Sequence, residues 1–311
     1  MASRRAHIAL ALAVLVGAAR CAGAAEVVAI VTTGPSPPFE QATTALVETL
    51  RHGRPQAEIR RFDLEGNEAN AAAVLARTHE TQPALVITVG SLATSVVLKE
   101  TWPVPVVFSM VLYPQQSGYA PGRNVTGIEL DVPLDTQFAT LREILPTARR
   151  VGVLYHHDET GSVVASARLV AGQHGFVLDT KEVDEPSSVP TVLPSFAAGV
   201  DVLWTVADSH VLDGHSTPAL ILEALRMGVP VFGLSAPQVH AGALAAFAYD
   251  YADIGVQSGE LASRVLAGEA SANLPPVGPR KLSLTLNLRS AHYLNVTIPP
   301  EIEHRAGEVI Q

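Results

Sequence analysis

Short polar side chains placed just beyond apolar runs are the groups in this sequence with chemistry to offer. Ser91 follows ALVITV (84–89) and Gly90 and precedes a helical run. A hydroxyl there can cap the helix, and the same unpaired N–H groups can hold a carboxylate. HHDETGS (156–162) stands in the same relation to RVGVLY (150–155), with Thr160 and Ser162 as cap candidates for a helix expected over Ser162–His174. Two helix starts facing one ligand suit an anionic group. Asp208 lies just past DVLWTV (201–206), where a carboxylate either begins a loop or pairs with an ammonium.

Other residues offer surface for a ligand's body. Ser235 follows PVFGL (230–234), and Tyr249, Asp250 and Tyr251 close another apolar run; Asp250 also fits as the cap of an amphipathic helix over Ile254–Leu266. Thr32–Phe39 is too rich in Pro to be helical and reads as a stiff wall, with Phe39 either against the ligand or stapled onto the next helix. Met110 and Tyr113 close VPVVFSMV (104–111) in the same way. Trp102 and Trp204 read as packed side chains, Trp204 because it lies within a strand.

Catalysis finds less support. His156, His157, Asp158 and Glu159 crowd together, yet consecutive side chains diverge and their spacing fits no zinc pattern, so no metal is expected. His210 and His215 are five apart, which does not align them on one helical face. The chain carries no G-x-S-x-G, G-x-G-x-x-G, P-loop or H-E-x-x-H motif, so neither a cofactor nor a hydrolytic centre is expected. The reading is a binding protein and not an enzyme. A cofactor-independent enzyme on the same scaffold is the alternative, because fold does not dictate function.

The elements that must position these groups alternate. Glu26–Thr32, Glu58–Phe62, Ala84–Val89 and Val104–Val111 read as strands, separated by helices over Gln41–Leu50, Ala69–Arg77 and Leu92–Lys99. Nearly continuous apolar strands imply parallel sheets covered on both faces. A Gly- and Pro-rich segment, 114–123, interrupts the rhythm. A second series then runs through strands at 150–155, 175–180, 201–206, 229–233 and 243–247 with helices at 162–174, 189–197 and 218–227. The Ile254–Leu266 helix should stop at Gly268, and KLSLTL (281–286) alternates as a strand. The fold class is α/β, with two Rossmann-like doubly wound lobes joined by a hinge. Residues 25–127 and 250–280 are expected in the N-terminal lobe, and 128–249 and 281–311 in the C-terminal lobe. Open α/β sheets bind ligands beyond the carboxyl ends of their strands, where the residues above lie.

Composition narrows the partners. The 311 residues are 48% hydrophobic and 16% charged with a formal charge of −9, so broad attraction to nucleic acid or anionic lipid is not expected. Arg4 and Arg5, the apolar run 7–18 and Ala22-Gly23-Ala24 match a secretory signal peptide over residues 1–24, which places the mature chain in the periplasm. Lipid anchoring on Cys21 is disfavoured by Arg20 immediately before it. Cleavage after Ala24 would remove this single Cys, leaving neither a disulfide nor a thiolate.

VTGIELDVPLDTQF (125–138), LREILPTARRVGVLY (141–155), WTVAD (204–208), PVFGLS (230–235), GALA (242–245), NLRSA (287–291) and LNVTIPPE (294–301) come in an order that resembles the ABC-transporter substrate-binding proteins of the tryptophan or aromatic amino-acid type. The resemblance implies a type I periplasmic-binding-protein topology, a ligand enclosed between the lobes and ABC permease subunits as partners of a monomer. It implies a small zwitterionic or anionic metabolite, an amino acid, as ligand. Ser91 and the Thr160–Ser162 turn would hold its carboxylate and Asp208 its ammonium, with Phe39, Met110 and Tyr113 around the side chain and Ser235 at the pocket wall. Tyr113-Pro114 departs from a common Asp-Pro in the family, which changes the polarity of the pocket. A ligand-sensing module for a membrane receptor would use the same pocket.

Overall fold

The computed structural model describes residues 26–196 and 199–311, so the expected signal segment and Cys21 lie outside the described residues. The first sheet contains β1 (Val27–Thr32), β2 (Glu58–Asp63), β3 (Leu85–Val89), β4 (Val106–Val111) and β5 (Val125–Glu129). Its order is β2-β1-β3-β4-β5, with every pair parallel. Period-two alternation divides its core. Val28 and Ile30 of β1 pack with Leu46 and Leu50 of α1 (Pro37–Gly53) on one face, while Ala29 and Val31 pack on the other with Val74, Val97 and Phe108. Each fully buried Val, Leu, Ile or Phe side chain among them stabilises the lobe by ~1.5–3 kcal/mol.

Helix α1 begins earlier than the sequence suggests. Pro37 and Pro38 occupy its first turn, where no N–H is needed, and the Ser36 hydroxyl accepts from the Phe39 N–H. The Pro-rich wall expected over Thr32–Phe39 is therefore partly helix. Next come α2 (Ala71–Glu80) and α3 (Ser91–Leu98).

The second sheet takes up β6 (Arg150–Tyr155), β7 (Val177–Glu182), β8 (Val202–Trp204), β9 (Val231–Gly233), β10 (Ala245–Tyr249), β11 (Leu282–Asn287) and β12 (Glu308–Ile310) in the order β12-β11-β10-β9-β8-β6-β7. Between β5 and β6 lies α4 (Leu134–Ile144), and after β6 comes α5 (His157–Gln173), then α6 (Val189–Val192), α7 (Ser216–Arg226) and α8 (Ala236–His240). The expected strand at 201–206 shortens to β8, and the helix expected over 189–197 tightens to a 3-10 turn after Val192.

Helix α9 (Tyr251–Leu266) returns to the first lobe and lies on α1. Gly255 and Gly259 make that contact: a Cβ on Gly255 would stand 2.1 Å from the Ala42 carbonyl oxygen, and one on Gly259 would stand 2.7 Å from Thr49 Cβ. Asp250 caps α9 by accepting from the Asp253 N–H at 2.9 Å, and Gly268 (φ +99°) follows its end, both as expected.

The chain thus crosses between sheets at 129–134, 249–251 and 278–282. β5 runs through Glu129, two residues past the lobe boundary expected at 127. β11 pairs antiparallel with β10, Ala245 opposite Leu286 and Tyr249 opposite Leu282. The reason is geometric. β10 leaves the second sheet at the crossing end, β11 enters at that same end, and so their directions must oppose. Arg280 pins the third crossing to α9 through a bidentate pair with Asp253 (2.9 and 3.0 Å) and a bond to Glu260 (2.8 Å).

Candidate functional site

A cavity of about 540 Å³ lies where the crossings meet the carboxyl edge of the second sheet. Trp204, Phe232, Phe247 and Tyr249 line it from the strands of that lobe, Tyr251 from the start of α9, and Tyr113 reaches in from the first lobe. Alternation explains the lobe's share. Trp204 and Phe232 share one face of adjacent strands with Phe138 and Phe176, whereas Leu203 and Val231 point to the opposite core. Trp204 is 2% exposed, and its indole N–H donates to Gln137 Oε1 at 2.8 Å. It is packed, as expected, and it also forms cavity wall.

Tyr113 gets there by an irregular backbone. Register shifts between Ser109 and Val111 where β4 meets β5. Met110 and Tyr113 then take left-handed φ values of +57° and +47°. Left-handed backbone costs an L-residue roughly 1–2 kcal/mol, so the surroundings must hold it. Asp131 does so: the Tyr113 N–H donates to its two carboxylate oxygens at 3.1 and 3.3 Å. The phenol lines the cavity together with Ala207 of the second lobe. Burial pushes the phenol pKa upward, and the Asp131 charge adds to this, so the group stays a neutral hydroxyl.

Asp131 contributes the cavity's carboxylate. Burial, with the Glu129 charge adding, pushes its pKa up to about 7 against the opposing bond from Tyr113. Glu129 itself is raised by burial. Across the same crossing the Tyr249 hydroxyl donates to the Leu130 carbonyl at 2.8 Å, and burial raises its pKa also.

The expected site residues fall into separate groups. Tyr113, Ser162 and Ser235 line the cavity. Ser162 does so from within α5 and not from its cap, because that helix starts at His157, five residues before its expected start. The Thr160–Ser162 turn is therefore no free helix end. Thr160 is fully buried and donates its hydroxyl to Asp208 at 2.5 Å.

Asp208 is 2% exposed and is not among the lining residues. Its oxygens accept from the His156 N–H (2.7 Å), Thr160 Oγ1 (2.5 Å) and the His210 N–H (2.9 Å). Protein donors thus occupy the carboxylate expected to meet an ammonium. Glu159 closes the same network by accepting from Ser209 N–H and hydroxyl and from His210 Nδ1 at 2.7–2.9 Å. Burial alone would raise its pKa, but these bonds outweigh burial and lower it. Glu159, Asp208 and His210 bring ligand-type atoms within 4.8 Å of one another, a grouping that the run of consecutive residues 156–159 does not suggest. The His156 and His210 rings stack with centroids 3.8 Å apart.

In the first lobe, Met110 is 3% exposed and packs in the core instead of against the cavity. Phe39 and Ser91 share another place, the carboxyl ends of β1 and β3. There Gly90 (φ +89°) has no space for a Cβ, which would stand 2.5 Å from Thr33 Oγ1 and 2.9 Å from the Phe39 ring. Ser91 is exposed and is not the cap; Thr33 Oγ1 accepts from the Ala93 N–H at 3.1 Å in its stead. Neither Phe39 nor Ser91 lines the cavity.

Sequence reasoning passed over Asp131, Gln137 and Phe232. Asp131 had a readable signal, since it stands two residues beyond a parallel strand's carboxyl end at the first crossing.

Two mainly parallel sheets, crossed repeatedly by the chain, give the two-lobed α/β fold of type I periplasmic binding proteins. The chain belongs to the ABC transporter substrate-binding protein family, whose model matches residues 41–310. It is similar to a tyrosine-binding protein of Clostridioides difficile (strain R20291), 26% identical over 179 residues. That match covers 55% of this chain and spans about half, 51%, of the relative. Among solved structures, an ABC domain from Streptococcus pneumonia in complex with L-Trp superposes with a TM-score of 0.74 at 21% identity, covering 92% of this chain and 100% of the other. A ligand-free, open substrate-binding protein with adhesive properties from Clostridium difficile gives 0.77 at 21% identity, covering 92% and 99%.

Proposed function

We propose that this chain is the exported solute-binding component of an ABC importer, capturing a small aromatic amino acid between its lobes and delivering it to a permease. The observation that carries this reading is the cavity at the crossings, whose mainly apolar wall includes the aromatic side chains of Tyr113, Trp204, Phe232, Phe247, Tyr249 and Tyr251. Pockets of this size and lining suit a drug-sized or smaller planar ligand. Family membership and the relatives described as binding tyrosine and tryptophan support the ligand class. Export rests on the signal-like pattern of residues 1–24, and no described helix is long and apolar enough to cross a membrane. Binding narrows the angle between lobes by motion at the crossings.

The test is thermal denaturation against L-tryptophan, L-tyrosine, L-phenylalanine, L-leucine and a panel of sugars. A ligand at 100 times its dissociation constant should add about 2.7 kcal/mol of stability. The aromatic amino acids should give the largest shifts. Stabilisation by sugars alone, or by none of the amino acids, would overturn the reading.

A further inference from the structure

We infer that the cavity recognises its ligand's ammonium through Asp131 and treats the ligand's carboxylate as dispensable, so that aromatic amines bind as well as aromatic amino acids while des-amino acids are refused. The inference rests on the proposed capture of an aromatic solute and sharpens it. Its first support is charge: Asp131 lines the cavity as a carboxylate, and the lining residues include no Lys, Arg or His. A guest's ammonium therefore meets a countercharge in a mainly apolar wall, where charge-assisted bonds are strongest.

Its second support is how the remaining donors are spent. The Gln137 amide donates to the Val132 carbonyl at 2.8 Å, and Thr205 Oγ1 donates to the Phe232 carbonyl at 3.0 Å. Ser166 Oγ donates to the Ser162 carbonyl at 3.0 Å, and Ser162 and Ser235 are left as neutral hydroxyls. Because α5 starts at His157, Ser162 and Ser166 present its flank, away from the positive end of the helix. A carboxylate in this cavity would find neutral hydroxyls, the partial positive charge at the start of α4 (Leu134) and, in Asp131, a like full charge.

The groups facing Asp131 do not change that balance. Glu129 beside it is acidic, and Tyr113 and Tyr249 carry phenols that stay neutral because burial raises both. Asp131 also accepts the Tyr113 N–H, so the residue that would meet the ammonium also holds the aromatic side chain reaching over from the first lobe.

The experiment is calorimetric titration of the natural chain with two probe triads: L-tryptophan, tryptamine and indole-3-propionate, then L-tyrosine, tyramine and 3-(4-hydroxyphenyl)propionate. In each triad the amine should bind within about tenfold of the amino acid, and the propionate at least about 30-fold more weakly, the size expected for an unpaired buried charge. Asp131→Asn keeps an acceptor for Tyr113 and should weaken the amine and the amino acid by about 30-fold while sparing the propionate. Propionates that bind the natural chain as tightly as the amino acids would overturn the inference and leave the capture reading standing. So would amines that fail where amino acids bind. Silence from all six probes would overturn the capture reading and this inference with it. The natural-chain series decides the matter even if the variant does not fold.

Discussion

At the carboxyl ends of β1 and β3 the first lobe turns through Thr33, Phe39, Gly90 and Ser91, whose close packing leaves Ser91 exposed and outside the cavity. On β8, β9 and β10 the second lobe presents Trp204, Phe232 and Phe247, which form part of the cavity wall. The two lobes share one way of folding and one kind of edge, yet their edges differ in what they present. The second lobe builds a receptacle, and the first reaches into it with Tyr113 on a strained loop that Asp131 holds in place. A shared backbone plan fixes where side chains gather, and the side chains decide which lobe does the recognising.

The most severe way to break this contrast is Asp208→Ala. If Asp208 is scaffolding, its loss leaves the His156 and His210 N–H groups and the Thr160 hydroxyl without their acceptor. Each unsatisfied buried group costs about 1–3 kcal/mol, so about 3 kcal/mol or more should go, lowering Tm by roughly 6 °C or more. L-tryptophan affinity of the folded fraction should stay within about threefold, because Asp208 does not line the cavity. Calorimetric melting and titration on one preparation separate the outcomes. Collapsed affinity at undiminished Tm would return Asp208 to the ligand.

A tenfold effect is expected from pH. The Asp131 carboxyl is pushed up to about 7, so its ionised fraction falls roughly tenfold between pH 8 and pH 6. Tryptamine, which stays cationic throughout, should lose about tenfold in affinity over that range. Stability of the ligand-free protein should move the other way. With its folded pKa above the unfolded value, Asp131 contributes stability that is complete below about pH 4 and lost as pH rises through about 7. Titration and melting at pH 6, 7 and 8 check both signs, and Asp131→Asn should flatten both profiles. A pH-independent affinity would remove Asp131 from the recognition.

Much of the scaffold was legible because burial imposes a simple pattern: the runs at 84–89 and 104–111 are apolar on both faces, as β3 and β4 require. Local signals misled where distant residues overrule them. HHDETG is polar and contains Gly161, so its helical character is hidden, yet Asp208 clamps His156 and Thr160 from another loop. The reversed direction of β11 follows from where the chain re-enters the second lobe, which no local pattern encodes. The site was less legible for the same reason. Asp208 and Asp131 both follow strand ends, and only the tertiary partners distinguish a carboxylate consumed by three protein donors from one that faces the cavity.

Ser91→Ala sharpens the contrast through the smallest expected effect. Ser91 is exposed, and Thr33 already accepts the Ala93 N–H that a cap would take, so stability should change by less than about 0.5 kcal/mol. If the first lobe contributes no countercharge to the guest, L-tryptophan and tryptamine should each keep their affinity within about twofold. A selective loss for L-tryptophan, tenfold or greater with tryptamine untouched, would mean that the start of α3 grips the carboxylate when the lobes draw together. Recognition would then be divided between the lobes, with the ammonium held at the crossing and the carboxylate at Ser91. The comparison of the two ligands on this one variant therefore weighs the first lobe's share directly, with folding held constant.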